Sequence, residues 1–220
     1  SSINVGSIKN VLGTFTPPAR VTIATRLLDT LSPEDVRSGV GEMLKVHAIE
    51  GPEAFDAIAA DYTRLFDDRE TMERYVHRSL EIKKRVIEID EFDRGPRNVM
   101  NYGHSFGHAL ESATGFAVPH GIAVTIGMDM ANYTARQLGL ADGAFERMHG
   151  TLAANYSGFE DTPVPLDAFL EAIGKDKKNV GSELRLVLPD GHGRVGIGTY
   201  PADDRFRSIV SEYLEGVRRA

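Results

Sequence analysis

The stretch NYGHSFGHALE, residues 101–111, sets two histidines four positions apart beside an asparagine and a glutamate. On a helix His104 and His108 lie about one turn apart, with Asn101 and Glu111 on the same side. The remaining positions include Phe106, Ala109 and Leu110. Such a polar face either belongs to ordinary hydrogen-bonded histidines or holds a metal ion and a reacting substrate. Because the chain has no cysteine, any metal must be bound by His, Asp or Glu.

Three neighbouring motifs bear on that choice. VPHGIAVTIGMDM places His120 at the entrance of a glycine-spaced apolar segment. There it is either a helix cap or a third ligand, since a catalytic divalent ion takes about three protein ligands and keeps a position for substrate. GEMLKV puts Glu42 and Lys45 on one helical face. The pair is either a solvated ion pair of small worth or an oxygen ligand beside a cation for an anionic substrate. IKKRVIEIDEFDRGPRNVMNYGH brings Lys83, Asp90 and Arg97 ahead of the histidines. Lys83 projects into the middle of an apolar arc, where an ammonium needs an anion. That anion is Asp90 or Asp93 in a structural salt bridge, or the carboxylate or phosphate of a ligand.

The elements carrying these groups are mostly helical. LSPEDVRSGVGEMLKVHAIEG has a cap at Ser32, Pro33 at the first helical position, Asp35 completing a Ser-x-x-Asp box, and Gly51–Pro52 as the stop. Apolar residues at helical spacing predict a longer helix from about Glu70 to Asp90, and further helices around 102–114, 121–138, 143–156, 165–174 and 203–218. In the opening twenty-five residues only VTIAT, residues 21–25, reads as a strand and the rest as loop. Alternation around PDGHG predicts a β-hairpin near 183–199. The fold class is mainly α, and residues 1–220 read as a single mostly helical domain.

Composition narrows the classes. With 220 residues, 41% of them hydrophobic, the chain can build a sizeable core. A formal charge of −7 and a pI near 5.5 argue against nucleic-acid binding. No apolar run approaches the roughly 18–20 residues of a membrane span, and no secretory signal is evident, so the expected location is the cytoplasm.

Five segments, in one order and at nearly one spacing, together resemble the sugar phosphate cyclase family, and within it the 3-dehydroquinate synthase branch. They are IKNVLGTFTPP, LLDTLSPEDVRSGVGEMLKV, IKKRVIEIDEFDRGPRNVMNYGHSFGHALE, PHGIAV and KDKKNVGSELRLVLP. The resemblance implies the C-terminal, metal-binding domain of a two-domain α/β + α enzyme, with residues 1–26 as a link toward an N-terminal NAD-binding domain or chain. It implies Glu42, His104 and His120 as ligands of zinc, or of cobalt in its place. His108, Lys45 and Asn101 would then lie in the substrate pocket, with Lys83 and Arg97 on the substrate carboxylate. Asn10, Lys177 and Lys178 match anion-binding positions, while Lys9, Thr30 and Leu31 match positions that border NAD. The implied reaction converts 3-deoxy-arabino-heptulosonate 7-phosphate to 3-dehydroquinate with phosphate elimination, in aromatic amino acid biosynthesis, and the implied assembly is a homodimer. The chain on its own is expected to be inactive.

Two departures from the family pattern stand out: Ile122 replaces the usual glutamate after HG, and NYGHSFGH replaces the more usual NFGHTFGH. They leave open a sister cyclase of the 2-deoxy-scyllo-inosose or valiolone type. Also open are an alcohol dehydrogenase of the iron-containing or glycerol dehydrogenase type, whose first metal ligand is typically aspartate, and a non-catalytic metal-binding assembly module.

Overall fold

Secondary structure follows local sequence signals closely except at the start of the chain and over residues 52–67, where two helices form that the sequence reading does not expect. The computed structural model describes residues 2–5, 8–13, 19–91, 95–141, 143–175 and 183–219. They divide into two compact units, Ser1–Thr30 and Leu31–Ala220.

The first unit holds an antiparallel hairpin of β1 (Ser2–Val5) and β2 (Ile8–Gly13), with Ile3 opposite Leu12 and Val5 opposite Ile8. A 3-10 helix follows at Thr25–Thr30. This corrects the sequence-based expectation twice. The strand expected at 21–25 is absent, residues 21–24 having no regular structure, and strands instead occupy residues expected as loop. β-branched residues suit a strand only where a partner supplies the ladder hydrogen bonds, and the described partner pairs lie upstream.

The second unit is helical. α1 (Pro33–Glu50) begins as its sequence dictates: the Ser32 hydroxyl accepts the Asp35 backbone N–H, and Pro33 occupies the first turn. Gly51, at φ +141°, ends α1, but Pro52 then opens α2 (Pro52–Ala60) rather than a loop. The short α3 (Arg64–Asp67) leads to α4 (Arg69–Ile89), which matches the apolar periodicity at both ends. A 3-10 turn at Pro96–Asn101 delivers the chain to α5 (His104–Ala113). α6 (His120–Leu138), α7 (Ala144–Tyr156) and α8 (Leu166–Gly174) follow. β3 (Glu183–Pro189) and β4 (Val195–Pro201) pair antiparallel around the predicted turn, whose Asp190 carboxylate accepts the N–H groups of His192 and Arg194. α9 (Asp204–Glu215) and a last 3-10 turn close the unit.

α6 is the centre, buried without interruption from Gly121 to Ala135. α1, α5, α7, α9 and β3 pack around it. A helix hydrophobic all round is one enclosed on every side, and the fully buried Ile122, Val124, Ile126 and Met128 fit that rule. Each such side chain contributes about 1.5–3 kcal/mol through burial. A charged group inside it is satisfied from neighbouring helices: the Asp129 carboxylate, 0% exposed, accepts from His149, Tyr156 and Tyr213. Among the described residues no helix is long and apolar enough to cross a membrane.

Candidate metal centre

Two close helix crossings determine where the site forms. At the first, a Cβ on Gly41 would collide with the Gly121 carbonyl and the Thr125 hydroxyl, and one on Gly121 would collide with the Ser38 carbonyl. Only glycine allows α1 and α6 to meet there. The neighbours of those glycines are Glu42 and His120, which therefore face each other. At the second crossing, a Cβ on Gly103 would lie 2.7 Å from the Val124 carbonyl and one on Gly127 would strike the Gly103 carbonyl. Gly103, in the left-handed region at φ +75°, is followed at once by His104. Small residues thus press three helices together at the positions that carry the candidate ligands.

The result is a converging set. Glu42 Oε1 lies 3.6 Å from His104 Nε2 and 3.8 Å from His120 Nε2. The second carboxylate oxygen, Oε2, accepts from Lys45 Nζ at 2.8 Å. Oε1 itself is buried with no hydrogen-bond partner. Both imidazoles are aimed by their other nitrogen: His104 Nδ1 is 3.3 Å from the Tyr102 carbonyl, and His120 Nδ1 is 3.2 Å from Glu111 Oε1. A histidine whose Nδ1–H donates to oxygen presents the Nε2 lone pair, which is the usual arrangement of a metal-ligating imidazole.

Electrostatics point the same way. Burial would raise the Glu42 carboxyl, but the Lys45 ammonium, with smaller help from His104 and Lys83, outweighs it and leaves the group below its usual range. Burial lowers the Lys45 ammonium, and its ion pair with Glu42 offsets only part of that. Burial and then the Lys45 charge push the His104 imidazole down to about 3. At neutral pH the centre therefore holds a carboxylate and an uncharged His104 imidazole. A buried carboxylate oxygen without a donor, facing two oriented nitrogen lone pairs, is an O,N,N donor set of a kind that could hold a divalent ion.

The other candidate residues fall at varying distances from this set. His108 is exposed on α5, its ring centroid 5.3 Å from that of His104 and 5.8 Å from that of His120. Lys83 on α4 is half-buried and close enough for its charge to act on both Glu42 and Lys45. It forms no ion pair among the described residues. The salt bridge to Asp90 is not made: Asp90 instead accepts the backbone N–H groups of Gly95 and Arg97. Arg97 donates from its guanidinium to the Glu91 carbonyl at 2.8 Å, and Asn101 donates to the Asn98 carbonyl at 3.0 Å. Leu31 is exposed just before the Ser32 cap. Thr30 ends the 3-10 helix of the first unit, and Lys9 and Asn10 lie on β2 there, described in backbone alone. Lys177 and Lys178 lie outside the described residues, as does Asp93.

Two contributors were not assigned a role from sequence. Helical spacing puts Glu111 on the histidine side of α5, but its carboxylate serves His120, nine positions on. Ser38 accepts the Gly121 N–H at 2.9 Å and so fixes the start of α6. A Glu three residues after His108 on a polar face was the available signal for the first. None marked the second.

Comparison with known proteins places the chain in a family. The chain is 35% identical over 201 residues to the 3-dehydroquinate synthase of Dictyoglomus thermophilum, covering 90% of this chain and 56% of the relative. It is 33% identical over 222 residues to that of Cereibacter sphaeroides, covering 97% and 60%. The chain thus spans a little over half the length of these curated relatives. Among solved structures, it resembles in fold a 2-epi-5-epi-valiolone synthase from Streptomyces hygroscopicus subsp. jinggangensis with NAD+ and Zn2+ bound. That match has a TM-score of 0.78 and 23% identity, covering 96% of this chain and 59% of the other. A 2-deoxy-scyllo-inosose synthase complexed with carbaglucose-6-phosphate, NAD+ and Co2+ gives a TM-score of 0.75 at 21% identity, covering 97% and 60%. Residues 39–179, which include Glu42, His104, His108 and His120, match the family described as 3-dehydroquinate synthase C-terminal, and the chain belongs to that family.

Proposed function

We propose that the chain is the metal- and substrate-binding half of a 3-dehydroquinate synthase-type cyclase that works with an NAD-binding half. The substrate is 3-deoxy-arabino-heptulosonate 7-phosphate and the products are 3-dehydroquinate and phosphate. The observation that carries the reading is the orphaned Glu42 Oε1 facing His104 Nε2 and His120 Nε2 at 3.6 and 3.8 Å. In this reading those three residues hold zinc or cobalt, which would act as a Lewis acid that orients adjacent substrate hydroxyls, while NAD carries the hydride steps.

The chain's own residues do the rest. Lys45, tied to Glu42 and 4% exposed, keeps the carboxylate ionised and offers its remaining N–H donors to the substrate. Lys83, without a described protein anion, receives the substrate carboxylate together with Arg97, which must release the Glu91 carbonyl to do so. His108 faces the substrate as a proton carrier, with Asn101 as a polar positioning group. Lys9, Thr30 and Leu31 border NAD, and Asn10, Lys177 and Lys178 bind the anionic end of the substrate. Residues 1–26 form the link to the NAD-binding half, and the working assembly is a cytoplasmic homodimer.

The test is phosphate release from 3-deoxy-arabino-heptulosonate 7-phosphate by this chain joined to its NAD-binding half, with zinc and NAD present. Dehydroquinate appearing in step with phosphate supports the assignment. Release only from glucose 6-phosphate or sedoheptulose 7-phosphate would transfer the protein to a sister cyclase, and oxidation of a simple alcohol without phosphate release would make it a dehydrogenase. Metal uptake without turnover of any of these would leave an assembly module.

A further inference from the structure

The last turn of α1, the first turns of α2 and the middle of α4 enclose an open groove of about 610 Å³. That lies within the roughly 300–1,000 Å³ of small-molecule sites. His47 is part of its lining and only 1% exposed. Its Nδ1 lies 2.8 Å from the Met43 carbonyl, one turn back on the same helix. A carbonyl only accepts, so Nδ1 carries the proton and Nε2 is a bare acceptor. That Nε2 is buried and has no hydrogen-bond partner. Burial holds the imidazole below its usual range, against the opposing effect of the Met43 hydrogen bond, so the ring is uncharged at neutral pH. A buried acceptor without a donor is costly, and the groove beside it is where a donor can enter.

The groups around His47 do not supply that donor. The Tyr75 hydroxyl donates to the Ala57 carbonyl and the Asp61 carboxylate. Arg78 is divided between Glu50 and Glu81. Glu50 takes Arg78 and Arg85 through Oε1, and its Oε2 accepts no hydrogen bond among the described residues. Glu53, exposed on the α2 side of the groove, forms no ion pair among the described residues. In this group the carboxylates of Glu50, Glu53 and Glu81 outnumber the guanidinium groups of Arg78 and Arg85 by one.

A missing donor and a missing positive charge call for a cation. A divalent metal does not fit, because its ligand atoms must converge, and among the described residues the one converging set of three is His104, His108 and His120. An organic cation meets separated acceptors instead. We propose that the groove is a second ligand site, which takes a small aliphatic amine bearing another N–H or O–H donor. The ammonium lies at Glu53, the second donor reaches His47 Nε2, and the methylene groups between them lie on Pro52 and Ala54. Because the His47 ring is so nearly covered, it admits one donor atom rather than the body of the ligand. None of these residues belongs to the metal centre.

The test is a calorimetric titration of the metal-free 220-residue chain with 4-aminobutan-1-ol, together with nitrogen NMR of the His47 side chain. Wild type is expected to bind one equivalent saturably, with the His47 Nε2 signal moving as it gains a donor. Butylammonium, which has no second donor, and tetramethylammonium, which has no N–H at all, are expected to bind at least about tenfold more weakly. E53Q, altered at an exposed position, is expected to lose about tenfold as well, and H47L to bind no better than E53Q. Should H47L fail to fold, E53Q and the His47 signal still decide the matter. No saturable binding by wild type, binding that leaves the His47 signal in place, or equal binding of tetramethylammonium would each overturn the proposal. Since no metal is present, none of these results bears on the reading of the metal centre.

Discussion

Glu111 and His120 form a carboxylate–imidazole pair, Oε1 to Nδ1 at 3.2 Å, with Glu111 only 4% exposed. The pair links the end of α5 to the start of α6 and turns His120 Nε2 toward Glu42. An outer partner of this kind sets tautomer and ring orientation and raises ligand basicity. E111Q keeps an acceptor but loses the charge, and E111A loses both. Zinc affinity, measured by chelator competition, is expected to fall about tenfold in E111Q and about a hundredfold in E111A. Equal affinity in both variants and wild type would mean that His120 needs no such support.

Lys45 is the counter-ion of Glu42 in the metal-free chain, and a bound divalent ion would share that task. K45M should therefore destabilise the apo chain, by up to about 3 kcal/mol, the low end for breaking a buried ion pair, since Glu42 keeps some solvent contact. Saturating zinc should then raise the melting temperature more in K45M than in wild type, because ligand linkage adds to the state that lacks its own cation. Equal zinc-induced shifts would show that Lys45 and the metal do not act on the same carboxylate.

Much of this was legible in the sequence, and the exceptions have a common cause. Ser32, Pro33 and Asp35 fixed the start of α1 through contacts a few residues apart, and the apolar spacing from Tyr75 to Ile89 fixed α4. His104, His120 and Glu42 could be suspected from type and spacing. The glycines explain their meeting: Gly41, Gly103, Gly121 and Gly127 read as breaks or neutral spacers in a linear scan, whereas their role is to admit another helix. Likewise the strand-like VTIAT lacked a partner in the described structure, and strand pairing is a non-local property. The Lys83–Asp90 pairing failed for the same reason, since Asp90 was needed by backbone N–H groups of the next turn.

That reading of the glycines makes opposite forecasts for two alanine substitutions. A Cβ at Gly121 meets the Ser38 carbonyl, a backbone atom that cannot move aside without separating α1 from α6. G121A should cost at least about 3 kcal/mol, the upper range for overpacking, and lower zinc affinity by parting Glu42 from His120. Gly150, in the exposed interior of α7, has open space where its Cβ would be. G150A should stabilise the chain by about 0.5–1 kcal/mol and leave the metal site untouched. Denaturant unfolding of both would check the pair, and a mild G121A would show the crossing to be looser than its contacts imply.

A pH test reaches the polar centre of α6, away from Glu42 and its facing histidines. His149 Nδ1 lies 2.9 Å from the buried Asp129 carboxylate, and that hydrogen bond raises the imidazole above its ordinary value of 6.5 against the opposing effect of partial burial. The ring stacks on Phe145 at 4.6 Å, and Arg136, whose charge opposes protonation, lies over the same Phe145 ring. A group whose folded pKa exceeds its unfolded one binds its proton more tightly in the native state. Its stabilisation is therefore complete below about pH 6.5 and disappears as pH rises through the folded value. The melting temperature of the metal-free chain should fall across that interval. H149Q, which cannot take up the proton, should be less stable than wild type at pH 6 and should lose this part of the slope, while Tyr156 and Tyr213 continue to satisfy Asp129. An H149Q profile parallel to wild type from pH 6 to pH 8 would place the source of any pH dependence elsewhere.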